Sequence, residues 1–162
     1  MNRRILIVDD NTAIHEDFRK ILMPDSNDSA FDEIAAELFD ESFNPLPPTA
    51  YRLDFASQGE MALGLVEAAL TAQQPYSVVF LDVRMPPGWD GIETAVRLWQ
   101  CDPQLQIVIC TAYSDHSWTD IRQKLGRPDC LLILKKPFDN IEVLQLAEML
   151  TEKWRLAQQA QH

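Results

Sequence analysis

Short apolar runs alternate with longer amphipathic stretches along the chain, and this alternation constrains the fold more than any other feature. The apolar runs predict five strands, at residues 4–8, 51–56, 77–81, 106–110 and 131–134. Four of these runs are continuously apolar, as expected of strands buried on both faces of a parallel sheet. The run at 51–56 alternates between apolar and polar residues and is therefore expected at an edge of the sheet.

The amphipathic stretches predict a helix after every strand. They cover residues 13–23, 59–72, 91–101, 117–125 and a last helix from residue 140 onward. On the last helix the expected buried face carries Ile141, Leu144, Ala147 and either Met149 or Leu150. Five strand–helix units with right-handed crossovers predict an α/β fold with a doubly wound, five-stranded parallel sheet in the flavodoxin-like order 2-1-3-4-5. The functional crevice of such a sheet lies at the carboxyl ends of its strands.

Residues 24–50 do not fit the repeat, because they form a much longer connection than usual between the first helix and the second strand. Helical spacing of apolar residues in 30–39 predicts an extra acidic helix inside this insertion. We expect it to lie on the domain's own surface, and a dedicated partner site is the alternative. The expected division of the chain is a core at 1–140 and a last helix at 141–162, which is either an exposed tail or the start of a connection to a further domain.

Charge and cysteine content exclude several classes of protein. The chain has 14 basic and 25 acidic residues, a net charge of −11, which argues against direct binding to nucleic acid or to an anionic membrane. Cys101, Cys110 and Cys130 form no C-x-x-C pair, so neither a disulfide framework nor a zinc site is predicted. No apolar run has the length of a signal peptide core or a membrane span. The expected location is the cytoplasm.

Acidic residues close two of the strands predicted to be buried. Asp9 and Asp10 follow the first strand and Asp82 follows the third, and these strands are neighbours in a doubly wound sheet. Taken alone, the Asp9–Asp10 pair is more simply explained as capping the next loop or helix. Three clustered carboxylates, however, repel one another unless they share a cation, and oxygen ligands suit a hard ion such as Mg²⁺. The sequence therefore predicts a metal site, with Asp82 able to act as a phosphoryl nucleophile.

The fourth and fifth strands also end in residues suited to phosphoryl chemistry. Thr111 follows the fourth strand, where its hydroxyl can donate to a phosphoryl oxygen, and the small Ala112 leaves room for an incoming group. Lys135 and Lys136 follow the fifth strand, where an ammonium group can neutralise the same phosphoryl charge. Because side chains alternate along a strand, the two lysines cannot both point inward.

Taken in order, these strand-end motifs resemble the receiver domain of two-component response regulators. The motifs are Asp9-Asp10, Leu81-Asp82-Val83-Arg84-Met85-Pro86, Thr111-Ala112 and Lys136-Pro137-Phe138. The resemblance implies that Asp82 accepts a phosphoryl group from a phosphohistidine of a sensor histidine kinase or phosphotransfer protein. It also implies that the chain is a signalling switch rather than an enzyme. The partner of the switch would be an output domain beyond His162 or a second copy bound through helix 4, strand 5 and helix 5.

The resemblance further implies a cofactor and a role for each site residue. Mg²⁺ would be bound directly by Asp10, Asp82 and the backbone carbonyl of Arg84, with Asp9 holding the ion through water. Thr111 and Lys136 would bind the phosphoryl oxygens. A cis peptide bond would precede Pro137.

Two departures from the family pattern bear on function. The loop after Asp82 is one residue longer than the common Met-Pro-Gly-x-Asp-Gly form, and we expect its Trp89 to cover the site and slow the entry of water. Ile133 stands where the family usually has an aromatic residue, three positions before the lysine, so the usual aromatic switch is not expected. Tyr113 is a substitute for that aromatic, a residue over the phosphorylation site at a position that tunes dephosphorylation in the family, or, most simply, a residue packed on the surface.

Three other functions compete with a phosphoacceptor receiver. A degenerate receiver that acts only as an interaction module is disfavoured by the intact set of acidic, Thr and Lys residues. A Mg²⁺-dependent phosphohydrolase on a similar sheet would have a D-x-D motif after the first strand, whereas Asp9 and Asp10 are adjacent. A flavin-binding module needs a neutral phosphate loop after that strand, and here the loop is acidic.

Overall fold

The computed structural model describes residues 3–23, 51–84, 88–112, 118–126 and 130–160, except for the side chain of Trp118. The five strands are β1 (Arg4–Val8), β2 (Arg52–Ala56), β3 (Val78–Asp82), β4 (Gln106–Thr111) and β5 (Leu131–Lys135). The helices are α1 (Thr12–Leu22), α2 (Gly59–Thr71), α3 (Gly91–Cys101), α4 (Trp118–Leu125) and α5 (Asn140–Ala160). The extra helix predicted within 24–50 and the predictions for Tyr113 lie outside the described residues.

The sheet has the predicted order and direction. Its strands are all parallel and follow the order β2-β1-β3-β4-β5. The central strand β3 is paired with β1 on one side and β4 on the other, with Val8 opposite Leu81 and Cys110 opposite Asp82. The carboxyl ends of three adjacent strands therefore meet at Asp82. The α/β, doubly wound fold class is confirmed.

Two apolar layers hold the helices on opposite faces of the sheet. Along β3 the side chains alternate, so that Val79 and Leu81 pack under α2, α3 and α4, whereas Val78 and Phe80 pack under α1 and α5. This alternation explains why β3 is apolar throughout, since every one of its residues is buried. Asp82, the single polar residue of β3, lies at the carboxyl end of the strand.

Capping residues fix where the helices beside the crevice begin. The Asn11 side chain accepts a hydrogen bond from the Ala13 N–H and starts α1, and the Asp90 side chain accepts one from the Glu93 N–H and starts α3. Helix α1 consequently begins two residues after Asp10, and α3 begins nine residues after Asp82. Among the described helices, none combines the length and the apolar character needed to span a bilayer.

Two details of the predicted burial are wrong. Strand β5 is apolar in sequence but lies at an edge of the sheet, so its Leu132 is 38% exposed. On α5, Ile141 and Leu144 are exposed, and the buried positions are Val143, Ala147, Leu150 and Thr151. Both faces of this helix carry apolar residues, so the periodicity of the sequence alone could not decide which one packs on the sheet.

Candidate functional site

Three carboxylates converge at the carboxyl ends of β1 and β3. Asp9 follows β1 directly, Asp10 is the next residue, and Asp82 is the last residue of β3. One carboxylate oxygen from each lies within 4.8 Å of the other two. Asp9 and Asp82 are buried, whereas Asp10 is exposed. The structure therefore brings together the three residues that the sequence analysis proposed as metal ligands.

Asp9 is anchored by its neighbours on both sides. Its backbone N–H donates to the carbonyl of Ala56 at the end of β2, over 3.0 Å. Its Oδ1 accepts a hydrogen bond from the Asn11 N–H at 2.9 Å, and its Oδ2 accepts one from Nζ of Lys136 at 3.1 Å. The carboxylate is therefore held within the loop that joins β1 to α1 and faces the centre of the site.

Lys136 supplies positive charge to the site and directly follows β5, an edge strand of the sheet. Its Nζ lies 3.1 Å from Asp9 Oδ2 and 3.2 Å from Asp82 Oδ1. Its backbone N–H donates to the carbonyl of Thr111 at 2.9 Å, and the next peptide bond, to Pro137, is cis. Lys135 is exposed. As alternation along a strand requires, the two lysines do not share one environment, and Lys136 is the one in the site.

The electrostatic state of the site follows from this crowding. Burial raises the pKa of Asp82, the negative charge of Asp9 raises it further, and Lys136 opposes the change only in part. Burial alone would lower the pKa of Lys136, but the charges of Asp9 and Asp82 outweigh it and raise that pKa. The ammonium therefore stays charged, but it compensates the negative charge of ionised Asp82 only in part. An added cation would compensate the rest.

Thr111 lies beside Asp82 at the end of β4, one residue past the register partner Cys110. Its side chain is buried, and its hydroxyl donates to the carbonyl of Ala112 at 3.0 Å. The hydroxyl is thus at the crevice, but in this structure its hydrogen is engaged by the neighbouring backbone. A phosphoryl oxygen would have to compete with that carbonyl for the same donor.

Arg84 and Gly91, which follow Asp82 in the chain, both form backbone hydrogen bonds close to the end of β3. The backbone N–H of Arg84 donates to the Asp82 carboxylate, and the Gly91 N–H donates to the Val83 carbonyl at 2.7 Å. The ring of Trp89 has the guanidinium of Arg97 on α3 4.3 Å from its centroid. Cover of the site by Trp89 and metal binding by the Arg84 carbonyl stay predictions.

His15 was not identified as a site residue from the sequence, and Phe138 appeared there only as a member of the Lys136-Pro137-Phe138 motif. Nε2 of His15 lies 2.7 Å from the Asp9 carbonyl oxygen. The ring of Phe138 lies 5.2 Å from that of Phe18, which in turn lies 5.0 Å from Phe80. These aromatic contacts tie the turn after Lys136 to α1 and β3. The Lys-Pro-Phe motif pointed to Phe138, but no spacing in the sequence pointed to His15.

Comparison with known proteins gives consistent results. Residues 32–148 match the family described as response regulator receiver domain, a stretch that contains Asp82, Thr111 and Lys136 and begins after Asp9 and Asp10. The sporulation initiation phosphotransferase F of Bacillus subtilis (strain 168) is 32% identical over 143 residues, which are 88% of this chain and 89% of that protein.

Solved structures share the fold at lower identity. A response regulator receiver protein from Sinorhizobium medicae WSM419 superposes with a TM-score of 0.63 at 21% identity, covering 94% of this chain and 97% of the other. A CheY-like receiver domain protein from Methanospirillum hungatei JF-1 gives 0.65 at 18% identity, covering 97% and 99%. These structures show the shared fold, and the family match together with the sporulation relative establishes that the chain belongs to the response regulator receiver domain family.

Proposed function

We propose that this chain is a phosphoacceptor receiver domain in a two-component phosphorelay and that Asp82 is the residue phosphorylated. The observation that carries the proposal is the position of Asp82, with two other aspartates within 4.8 Å and Nζ of Lys136 at 3.2 Å. A buried carboxylate surrounded by acidic groups is costly for a fold that uses it only structurally. The same arrangement suits a nucleophile that works with a cation and a fixed ammonium group.

The chemistry needs little beyond positioning and neutralisation of charge. A carboxylate oxygen of Asp82 forms a bond to phosphorus while the bond from phosphorus to the histidine nitrogen of the donor breaks, and that nitrogen keeps the electron pair. Lys136 is placed to neutralise a phosphoryl oxygen, and Thr111 would donate its hydroxyl to another. Hydrolysis of the acyl phosphate by water then regenerates the carboxylate.

The donor set at the site fits Mg²⁺. The three carboxylates supply hard oxygen ligands, and the raised pKa of Asp82 reflects its burial and its repulsion by Asp9, the second of which a divalent ion would offset. We propose Asp10, Asp82 and the Arg84 carbonyl as direct ligands and Asp9 as a ligand through water. When bound, Mg²⁺ would offset the negative charge of the phosphoryl group and of the carboxylates that surround it.

The partner and the location follow from the same proposal. The donor is a phosphohistidine on a sensor histidine kinase or a phosphotransfer protein, and the chain acts as a switch rather than as an enzyme with its own substrate. Because such donors obtain their phosphoryl group from nucleotides inside the cell, we propose a cytoplasmic location. The division into a core at 1–140 and a last helix at 141–162, with an output domain or a second copy as the receiver of the signal, stays a prediction.

Intact-mass spectrometry after incubation with acetyl phosphate tests the proposal. We expect one phosphate adduct that requires Mg²⁺, is labile to hydroxylamine and is absent from Asp82→Asn. Asp102→Asn is the matched control, because Asp102 is also buried and also has a raised pKa. It precedes β4 and so lies at the amino ends of the strands, away from the site. This variant should form the adduct normally.

Two results would overturn the proposal in different ways. If neither acetyl phosphate nor the stable analogue beryllofluoride modifies the site, the chain is an interaction module that does not depend on phosphorylation. If the protein instead releases phosphate catalytically from small phosphate esters, it is a phosphohydrolase. An adduct that persists in Asp82→Asn would assign the nucleophile to another residue.

A further inference from the structure

His15 contacts the backbone of the acidic loop directly. It lies on the first turn of α1, where its N–H is directed at the Asn11 carbonyl, and its Nε2 lies 2.7 Å from the Asp9 carbonyl oxygen. A carbonyl can only accept, so Nε2 carries the hydrogen and donates it. This distance lies at the short end of the range for hydrogen bonds between nitrogen and oxygen.

The ring that donates this hydrogen bond also packs against the neighbouring strand β2. Its centroid lies 5.1 Å from that of Phe55 on β2, with the two planes inclined by 32°. The guanidinium of Arg19, one turn further along α1, lies 5.4 Å from the same Phe55 ring. His15 is half-buried by this packing. The donor therefore reaches the end of β1 from the first turn of α1, and its ring also packs against the adjacent strand β2.

The hydrogen bond acts on the peptide group that joins two of the acidic residues. Since the carbonyl of Asp9 belongs to the planar peptide between Asp9 and Asp10, fixing that carbonyl fixes the plane. The plane in turn restricts ψ of Asp9 and φ of Asp10, the dihedral angles that set the relative directions of the two carboxylates. Asp9 is also held through its N–H and both carboxylate oxygens, whereas the side chain of Asp10 is exposed.

We propose that His15 is a positioning residue for the metal site: its Nε2–H holds the Asp9–Asp10 peptide in the orientation that directs the Asp10 carboxylate toward Asp82. The role rests on the proposed function, in which Asp10 binds Mg²⁺. Groups that orient metal ligands without touching the metal commonly change its affinity by 10- to 100-fold. Loss of this donor should therefore weaken Mg²⁺ binding while leaving the chemistry at Asp82 intact once the ion is bound.

Titration of the full chain with Mg²⁺ alone, followed in ¹⁵N–¹H spectra at one fixed pH, tests the role. We expect His15→Phe, which keeps an aromatic ring against Phe55 but has no donor, to raise the Mg²⁺ dissociation constant about tenfold. At saturating Mg²⁺ its rate of phosphorylation by acetyl phosphate should lie within twofold of wild type. His15→Gln, which retains a donor, should recover most of the affinity.

Phe55→Leu is the matched control, because it removes the ring contact but leaves the His15 donor. Its Mg²⁺ dissociation constant should stay within threefold of the wild-type value even if its thermal stability falls. If His15→Phe does not fold, His15→Leu replaces it, since leucine also lacks the donor and favours the helix.

The outcomes separate the positioning role from the proposed function. If the Mg²⁺ dissociation constant of His15→Phe, or of its replacement, stays within twofold of the wild-type value, the positioning role is wrong and the proposed function is unaffected. An equal loss in Phe55→Leu also overturns the positioning role, because the effect would then come from packing. A wild-type chain that binds no Mg²⁺ and forms no phosphate adduct overturns both proposals.

Discussion

Nζ of Lys136 lies 3.2 Å from Oδ1 of Asp82, so the ammonium occupies space beside the carboxylate that is proposed to be phosphorylated. The same ammonium lies 3.1 Å from Asp9 Oδ2. One cation thus already balances part of the negative charge of the site, and it does so from a different strand than either aspartate. Its removal should have opposite effects on metal binding and on phosphoryl transfer.

Lys136→Met should bind Mg²⁺ more tightly and become phosphorylated more slowly. Tighter binding is expected because a competing positive charge leaves the acidic cluster, and slower transfer because a phosphoryl oxygen loses its counter-charge. Loss of one such group typically costs roughly a hundredfold in rate. Mg²⁺ titration and the rate of adduct formation at saturating Mg²⁺ measure the two effects. Lys135→Met, at the exposed neighbouring position, should change neither, and parallel changes in both variants would contradict the assignment.

Asp82→Asn should be more thermally stable than wild type in the absence of divalent ions. Burial and the charge of Asp9 raise the pKa of Asp82 above its ordinary 3.8, so ionisation of this group opposes folding at neutral pH. The penalty is full above the folded-state pKa and vanishes below 3.8, so the two melting temperatures should converge in acid. Added Mg²⁺ should stabilise the wild type more than the variant. Equal melting temperatures at pH 7 would argue against an unfavourable charge at this position.

Stability should fall in acid partly through Asp54 at the edge of the sheet. The Tyr76 hydroxyl and Arg4 donate to its Oδ2 at 2.6 and 3.0 Å. Partial burial acts in the other direction, but these partners prevail and lower the pKa of Asp54 below 3.8. The stabilisation is complete above 3.8 and is lost as pH falls through the folded-state pKa.

Urea unfolding of Asp54→Asn across the acid range checks this expectation. The variant should show a smaller loss of stability below about pH 4 than wild type, with a total difference of no more than about 1 kcal/mol because the carboxylate is half exposed. Asp17→Asn, an exposed carboxylate on α1, serves as the control and should follow the wild-type curve. Identical acid limbs for all three proteins would show that the Asp54 contacts contribute nothing.

Gly91→Ala should destabilise the turn that supports Asp82. A Cβ on residue 91 would lie 2.3 Å from the Asp82 carbonyl oxygen and 2.8 Å from Cα of Val83, both of them backbone atoms that cannot move aside cheaply. We expect a loss of about 1–3 kcal/mol in the free energy of unfolding. Gly64→Ala, on an exposed position of α2 with open space around its Cβ, should instead gain roughly 0.5–1 kcal/mol. Denaturant titrations of the two variants would show opposite shifts.

The part of the site that depends on strand ends was predictable from the sequence. The carboxyl ends of the parallel strands in a doubly wound sheet all lie on the same side. Once the strands were assigned correctly, the strand-end residues therefore had to converge, namely Asp9, Asp82, Thr111 and Lys136. Alternation along β5 also implied that Lys135 and Lys136 could not both enter the site. These conclusions need only the direction and order of the strands and no details of packing.

The remaining details depend on packing, which periodicity does not determine. Ile141 and Val143 are both apolar, and contact with the sheet alone decides that Val143 is the buried one. His15 reaches the Asp9 carbonyl because of the rotation of α1 about its axis, which the sequence does not state. The hydrogen bond from the Thr111 hydroxyl to the Ala112 carbonyl likewise depends on the local backbone, which the sequence does not state.

The contacts of Lys136 with Asp9 and Asp82 join residues 127 and 54 positions apart in the chain. Contacts this distant in sequence close large loops and form only when most of the chain is in place. A growing polypeptide that has folded β1 through β4 would present the proposed nucleophile, Asp82, and the acidic pair without their ammonium partner. The site is therefore complete only after β5 and Lys136 have been added to the sheet. An incompletely synthesised chain would lack the ammonium group and could not receive the signal.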